Sequence, residues 1–445
     1  NALYTNNGND NTAVGHEALE LNSTGNYNVA VGRQALEANT TASNNVAIGR
    51  LAMALTTTGA DNVAVGEGAL YANTTASYNV AIGKASLDAN TTGAANTAVG
   101  YNSLGANTTA NNNTGFGAYT LEDNTTGTSL VAVGAGALKN NTTADNNVAV
   151  GLDALMTNTT GANNTAVGYY ALKSNTTGYA QVALGRTALE DNTTGAANVA
   201  VGQNALANNT TASNNIAIGL EALYTNTTGA QCIAIGGGAA AASNISNTLA
   251  IGYSALNDLT TGARNVAIGN YALDTTQSGS NSVAVGYAAG DAVTTASSLV
   301  LVGDVAGDAI TTSSNCVAVG AGALTTHATG SGNTAIGKSA LASCTNGANT
   351  AVGMDAGTNV TTGYNNTFVG DDAGDTVTTG ANNTCIGINC NPSAATGSQQ
   401  IVVGIDIDGI GDNYTTLGYS GEGRIYNQFS ANASWTRASD VRLKK

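Results

Sequence analysis

Few side chains in this sequence are suited to catalysis, and those few lie far apart. The chain of 445 residues contains two histidines, His16 and His327. A catalytic dyad needs a general base within hydrogen-bond reach of its nucleophile. Because hundreds of residues separate the two histidines, we expect both to be polar surface residues, and the sequence predicts no enzyme.

Metal chemistry is also weakly indicated. Asp406, Asp408 and Asp412 alternate in the segment DIDGIGD in the way that calcium ligands do, but a complete calcium loop also needs a bidentate glutamate. We interpret this segment as a turn, and we predict no metal and no cofactor. The five cysteines form no CxxC pair, so neither a zinc site nor a disulfide framework is predicted. Whether Cys385 and Cys390 approach each other is left open.

The charge balance argues against two classes of partner. The chain carries 13 basic and 28 acidic residues, a net charge of −15. Nucleic-acid binding needs clustered lysine and arginine, which this sequence lacks. No apolar run approaches the length of about 18 residues that a membrane helix requires. We therefore predict no nucleic-acid partner and no membrane insertion.

A short repeat dominates the chain. Most repeats end in the pattern (V/T)A(V/I)G, and we call its last residue the marker glycine. Marker glycines recur every 17 residues from Gly15 to Gly236 and, apart from two steps of 16, onward to Gly404, which makes 24 repeats. Apolar triplets such as Val46-Ala47-Ile48 precede the glycine, and turn segments rich in Asn-Thr-Thr follow it.

The period and the local pattern predict an all-β fold. Helical repeats are about 33–47 residues long, which is much longer than this repeat. We therefore predict a parallel β-solenoid of about 24 coils, with one coil for each 17-residue repeat. In stacked coils the Asn and Thr side chains of the turns should align into polar ladders.

Alternation along a strand determines which side chains share a face. The residue directly before the marker glycine is apolar in all 24 repeats, and the residue three before it is aliphatic or Thr. We predict that both point into the coil, together with the Leu that lies four residues after the glycine in 16 repeats. The predicted core residues are Leu36, Val46, Ile48, Leu155, Val293 and Ile310.

Four repeats exchange residue types at two positions. A glycine replaces the Leu, and the seventh residue after the marker glycine changes from Asn to Val or Ile. The exchanged pairs are Gly290 and Val293, Gly307 and Ile310, Gly357 and Val360, and Gly374 and Val377. Because the volume of a packed core is roughly conserved, we predict that both positions face the same core.

The residue two before the marker glycine, which we call the strand centre, points to the opposite face from its neighbours. It is Ala in 19 of 24 repeats and is never polar or charged. A stripe facing solvent should include polar residues, so we predict that this stripe packs against other subunits. The predicted subunit interface comprises Ala30, Ala47, Ala64, Ala149, Ala217, Leu301, Phe368 and Cys385.

The segments NVAVG, NVAIG and NTAVG, followed by Ala-Leu, resemble the head repeats of trimeric autotransporter adhesins of the YadA type over residues 11–404. This resemblance implies a left-handed parallel β-roll with three chains around one axis. The long NTTG-rich repeats are also similar to those of phage tail-fibre proteins. At the C-terminus, SDVRLKK resembles the opening of the intramolecular chaperone domain of phage tail spikes and fibres, and this resemblance implies self-cleavage at Ser439 and Asp440.

These features predict four segments: an N-terminal entry segment (1–10), a repeat shaft (11–404), a non-repeat β transition region (405–434) and the start of a chaperone domain (435–445). We predict a structural tail fibre of a phage virion, extracellular and homotrimeric, that attaches to a glycan or protein receptor on the host surface. The alternative is a bacterial trimeric adhesin or stalk on the cell surface. An ice-binding solenoid is less well supported because adjacent threonines point to opposite faces. A glycan depolymerase is disfavoured because no pair of acids in a cleft is indicated.

Overall fold

The computed structural model describes residues 1–420 and 423–429, and the strand pairing of residues 436–437. These described residues form strands and turns and contain no helix, and accordingly no membrane-spanning helix is found among them. The predicted cleavage residues, Ser439 and Asp440, lie outside the described residues. The chain divides into two compact units, residues 1–230 and 231–445.

The first unit is a parallel β-solenoid built from three-residue strands. Each strand pairs in parallel with the next, and the register joins residues one repeat apart, as Ala13 pairs with Ala30. The strands are β1 (Thr12–Val14), β2 (Val29–Val31), β3 (Val46–Ile48), β4 (Val63–Val65), β5 (Val80–Ile82), β6 (Thr97–Val99), β7 (Thr114–Phe116), β8 (Val131–Val133), β9 (Val148–Val150), β10 (Thr165–Val167), β11 (Val182–Leu184), β12 (Val199–Val201) and β13 (Ile216–Ile218).

The second unit has the same construction up to its last strands. Its repeat strands are β14 (Ile233–Ile235), β15 (Leu249–Ile251), β16 (Val266–Ile268), β17 (Val283–Val285), β18 (Val300–Val302), β19 (Val317–Val319), β20 (Thr334–Ile336), β21 (Thr350–Val352), β22 (Thr367–Val369), β23 (Thr384–Ile386) and β25 (Ile401–Ile405). A separate pair joins β24 (Cys390–Asn391) to β26 (Ile407–Asp408). Strand β27 (Tyr414–Tyr419) is parallel to β25, whereas β28 (Ile425–Gln428) and β29 (Thr436–Arg437) add antiparallel pairs.

The predicted all-β class, the parallel solenoid of about 24 coils and the 17-residue period are confirmed. Each coil turns at residues with positive φ, for example Gln34 (61°), Leu36 (52°) and Asn44 (60°). This left-handed conformation is unfavourable for most residues, so stacking between coils must stabilise it. The marker glycine is required for another reason. A Cβ added to Gly66 would lie 2.5 Å from the carbonyl oxygen of Gly83 in the next coil.

The interior of each coil is narrow and lined mainly by small side chains. In one repeat the strand centre Ala166 and the residues Ala171 and Leu172, which lie three and four after the marker glycine, are fully buried. The walls of the coil approach closely: Ser86, in the place of Ala171, donates a hydrogen bond from Oγ to the carbonyl oxygen of Ala98 at 2.9 Å. The predicted core residues that the structure also buries fully are Leu36, Leu155, Val293 and Ile310.

The structure corrects the orientation predicted for the strands. All eight residues predicted to form a subunit interface are fully buried inside the coils of their own chain, namely Ala30, Ala47, Ala64, Ala149, Ala217, Leu301, Phe368 and Cys385. Conversely, Val46 is only half-buried and Ile48 is 40% exposed. The alternation of side chains along each strand was predicted correctly, but the inward and outward faces were exchanged. Walls this close leave room for Ala at most strand centres, so the larger side chains point outward.

Two large residues at strand centres fill the space that the glycine substitutions create. A Cβ added to Gly290 would lie 2.6 Å from Leu301 Cδ1, and one added to Gly307 would lie 2.8 Å from Leu301 Cδ2. Phe368 fills the equivalent space, 2.8 Å from a Cβ added to Gly357, and also contacts the position of a Cβ at Gly374. Each large strand centre therefore compensates for two missing Leu side chains.

The predicted polar ladders are present, and one of them is fully buried. Asn158 donates to Asn141 Oδ1 at 2.9 Å and accepts a hydrogen bond from Asn175 at 2.8 Å. On the turn surface, Thr159 Oγ1 donates to the carbonyl oxygen of Thr176. Buried amides that are paired in this way satisfy polar groups whose desolvation would otherwise be costly.

His327 occupies the ladder position of its repeat and is fully buried, so the prediction that it is a surface residue is wrong. Its Nδ1 lies 3.0 Å from the carbonyl oxygen of Cys344, and its Nε2 contacts the carbonyl oxygen of Gly330. The imidazole ring takes the place of the usual Asn side chain, and its two nitrogens lie against backbone carbonyl oxygens inside the coil. His16, in contrast, is exposed and lies beside Glu17.

Candidate subunit interface

An apolar stripe runs along the outer face of the strands. It consists of the residues one and three before each marker glycine, and we call it the outer ladder. In the first unit these side chains are exposed or half-buried in every strand from β1 to β13. The most exposed members include Val14 (59%), Phe116 (55%) and Leu184 (47%).

The second unit carries an outer ladder of the same kind. Its side chains are exposed or half-buried in β14 to β23 and in the repeat part of β25. Exposed members include Ile233, Ile336, Val369 and Ile386. The residue three before the marker glycine is Thr in β20 to β23, so this edge of the ladder is more polar there.

The outer ladder can form close contacts because its geometry is regular. Parallel pairing in register places Val29 beside Val46 and Val31 beside Ile48, and the same alignment recurs between the paired strands within each unit. Monomeric soluble proteins rarely expose an apolar patch that continues over so many elements, and such patches typically mark interaction sites. Burial of aliphatic surface is also the main favourable term in protein association.

Three acidic side chains of the second unit are stacked in consecutive coils. Asp274, Asp291 and Asp308 each lie five residues after a marker glycine. Buried carboxylate oxygens of Asp274 and Asp308 have no hydrogen-bond partner. Desolvation, followed by repulsion from Asp291 and Asp258, raises the pKa of Asp274 to about 6. The column is therefore a local source of instability at neutral pH.

We expect the second unit to gain stability as the pH falls from about 7 to about 4. The pKa of Asp274, about 6 when folded, exceeds its ordinary value of 3.8, so the folded chain holds this proton more tightly. The penalty is fully present above the folded pKa and disappears as the pH falls toward the unfolded pKa. Asp274→Asn should raise the free energy of unfolding at pH 7 by about 1 kcal/mol, after allowance for solvent screening.

Denaturant unfolding of the wild-type chain and of Asp274→Asn at both pH values measures this effect. Asp304→Asn is the matched control, because Asp304 is exposed in the same unit and its replacement should leave the pH dependence unchanged. An identical pH dependence in the wild-type chain and Asp274→Asn would show that the column imposes no penalty.

The three aspartates whose spacing resembles that of calcium ligands, Asp406, Asp408 and Asp412, do not gather around one point in the structure. Asp406 accepts a hydrogen bond from Asn389, and Asp412 accepts hydrogen bonds from the Ser398 amide and from Gln400. The segment is not the simple turn that was predicted, because Ile407–Asp408 forms strand β26. Sequence reasoning missed a different group, Glu17, Glu20 and Glu37, which lie close together on adjacent coils. Partial burial and repulsion from the other two glutamates raise the pKa of Glu37.

The comparisons with known proteins give no match: neither a protein-family model nor a curated protein matches this sequence. Among the described residues, the outer ladder is the surface from which we infer a function. Sequence reasoning missed it, although one signal was present. The two large strand centres, Leu301 and Phe368, occur only where the adjoining repeats have Gly in place of Leu, and such compensation indicates that strand centres share the coil interior.

Proposed function

We propose that this chain is the shaft of a homotrimeric tail fibre of a phage virion, located outside the host cell and attached to a receptor on the host surface. The observation that carries the proposal is the outer ladder, which three chains around a common axis would bury. The Val, Ile and Thr residues of the ladder replace the Ala stripe as the proposed interface. The choice of three chains rests on the resemblance of the repeats to adhesin heads.

The repetition of the coils supports a structural role. Repeated coils give each chain a long series of equivalent contacts, and solenoid stability sums over such neighbouring interfaces. Three chains would present three copies of any receptor-binding group, so weak individual contacts with a glycan or protein would gain avidity.

The C-terminal resemblance supports maturation by chaperone cleavage at Ser439 and Asp440. A bacterial trimeric adhesin is the second candidate, favoured by the NVAIG-type repeats.

The mass of the full chain in solution tests the assembly. Light scattering on the purified chain should give three times its 43.7 kDa mass. A monodisperse monomer or dimer would overturn the trimer. Immunogold labelling with antibodies to the chain tests the location, because labelled tail fibres support the virion proposal. Label confined to bacterial surfaces would favour the adhesin.

A further inference from the structure

Two buried cysteines replace facing alanines in the coil whose marker glycine is Gly387. Cys385 is the strand centre of β23, and Cys390, three residues after the glycine, begins β24. Ala is the usual residue at both positions, and both thiols are fully buried. Both are free thiols in the structure, and the Cys390 thiol donates a hydrogen bond to the carbonyl oxygen of Gly387 at 3.1 Å.

Another coil shows how closely these two positions approach. There the strand centre is Gly115 and the third residue after the glycine is Thr120. A Cβ added to Gly115 would lie 2.9 Å from Thr120 Oγ1, an atom in the γ position that a cysteine sulfur would occupy. In a disulfide, each Cβ lies about 3 Å from the partner's sulfur, given the normal S–S bond length. The spacing of the two positions therefore suits a disulfide.

In this coil and the two adjoining coils, Cys390 is the residue that offers Cys385 a partner sulfur. The facing position of the preceding coil is Ala373, and the strand centre paired with Cys385 in the following coil is Val402. Cys316 and Cys344 occupy other interior rows, beside His327. The pairing of Cys385 with Cys390 is thus fixed by the repeat register.

We propose that Cys385 and Cys390 form an intrachain disulfide when the folding chain meets a small-molecule disulfide such as oxidised glutathione. The Cys390 thiolate attacks one glutathione sulfur and releases one glutathione thiolate. The Cys385 thiolate then attacks the sulfur of Cys390 in the mixed disulfide and releases the second. The two cysteines lose two protons and two electrons, and one glutathione disulfide is reduced to two thiols.

The composition of this coil gives the bond a role. The coil lacks the usual Leu, because Asn391 occupies that position. A covalent link between β23 and β24 would stabilise a coil that has lost its largest core side chain.

Refolding of the full chain in a glutathione redox buffer tests the proposal. The refolded chain is unfolded in denaturant with iodoacetamide present, so that every free thiol is blocked, and the thiols released by subsequent reduction are labelled with N-ethylmaleimide. We expect the maleimide label on Cys385 and Cys390 alone, an intact mass about 2 Da lower before alkylation, and a melting temperature about 2 °C above that of the reduced chain.

The double variant Cys385→Ala/Cys390→Ala is the matched control, because Ala occupies both positions in most coils. It should fold, keep its mass in the redox buffer and show no melting shift on reduction. Cys316→Ala/Cys344→Ala should retain the mass loss. Iodoacetamide on both Cys385 and Cys390 after refolding, or maleimide on any other cysteine in their place, would overturn the proposal.

Discussion

Phe368→Ala is expected to lower the free energy of unfolding by about 3–5 kcal/mol. Phe368 is fully buried, and its ring fills the space left by two glycines, Gly357 and Gly374. Truncation would open a cavity across adjoining coils, and neither glycine has a side chain that could occupy it. Denaturant unfolding followed by circular dichroism measures the loss.

Two variants make this prediction specific. Met354→Ala, which truncates a side chain that is 47% exposed in an adjoining repeat, should change stability by less than about 0.5 kcal/mol. The triple variant Gly357→Leu/Phe368→Ala/Gly374→Leu should recover much of the loss, since both glycines have φ values (59° and 68°) near that of Leu341 (50°). A Phe368→Ala chain with unchanged unfolding would contradict the interior position of this ring.

The repeat made most of the fold predictable from sequence. The 17-residue spacing of the marker glycines predicted parallel in-register stacking, because only equivalent positions of successive coils can pair along a solenoid. The Leu-to-Gly exchange predicted that Leu155 and Val293 face an interior, and both are buried. These inferences depended on comparisons among repeats, which sample the same environment many times.

The face of each strand could not be predicted from alternation alone. Alternation separates Ala47 from Val46 and Ile48, but it does not show which side is inside. The rule that larger apolar residues point inward fails here because the walls of the coil lie too close together. The position of His327 was missed for a different reason. The exchanged repeats had already placed the seventh residue in the core, but this histidine was assigned to the surface without regard to its place in the repeat.

The double variant Val148→Asp/Val150→Asp is expected to shift the proposed trimer toward monomer. Both residues belong to the outer ladder of β9 and flank the buried strand centre Ala149. In an isolated chain the carboxylates would remain hydrated, so the coil should fold. Three copies would bring six carboxylates into one apolar interface without partners, and the cost of burying such charges opposes the aliphatic contacts of the neighbouring coils.

Light scattering gives the mass of this variant, and circular dichroism verifies that its β structure is retained. Leu152→Asp is the matched control, because Leu152 is 44% exposed in the same repeat but lies outside the outer ladder, so this variant should keep the wild-type mass. A double variant with the wild-type mass would remove the outer ladder from the interface. Ala149 and the other strand centres are buried inside the coil, so they are not available as an interface either. The subunits would then have to contact one another through the turn surfaces of the coil, where Thr and Asn ladders offer mainly polar contacts.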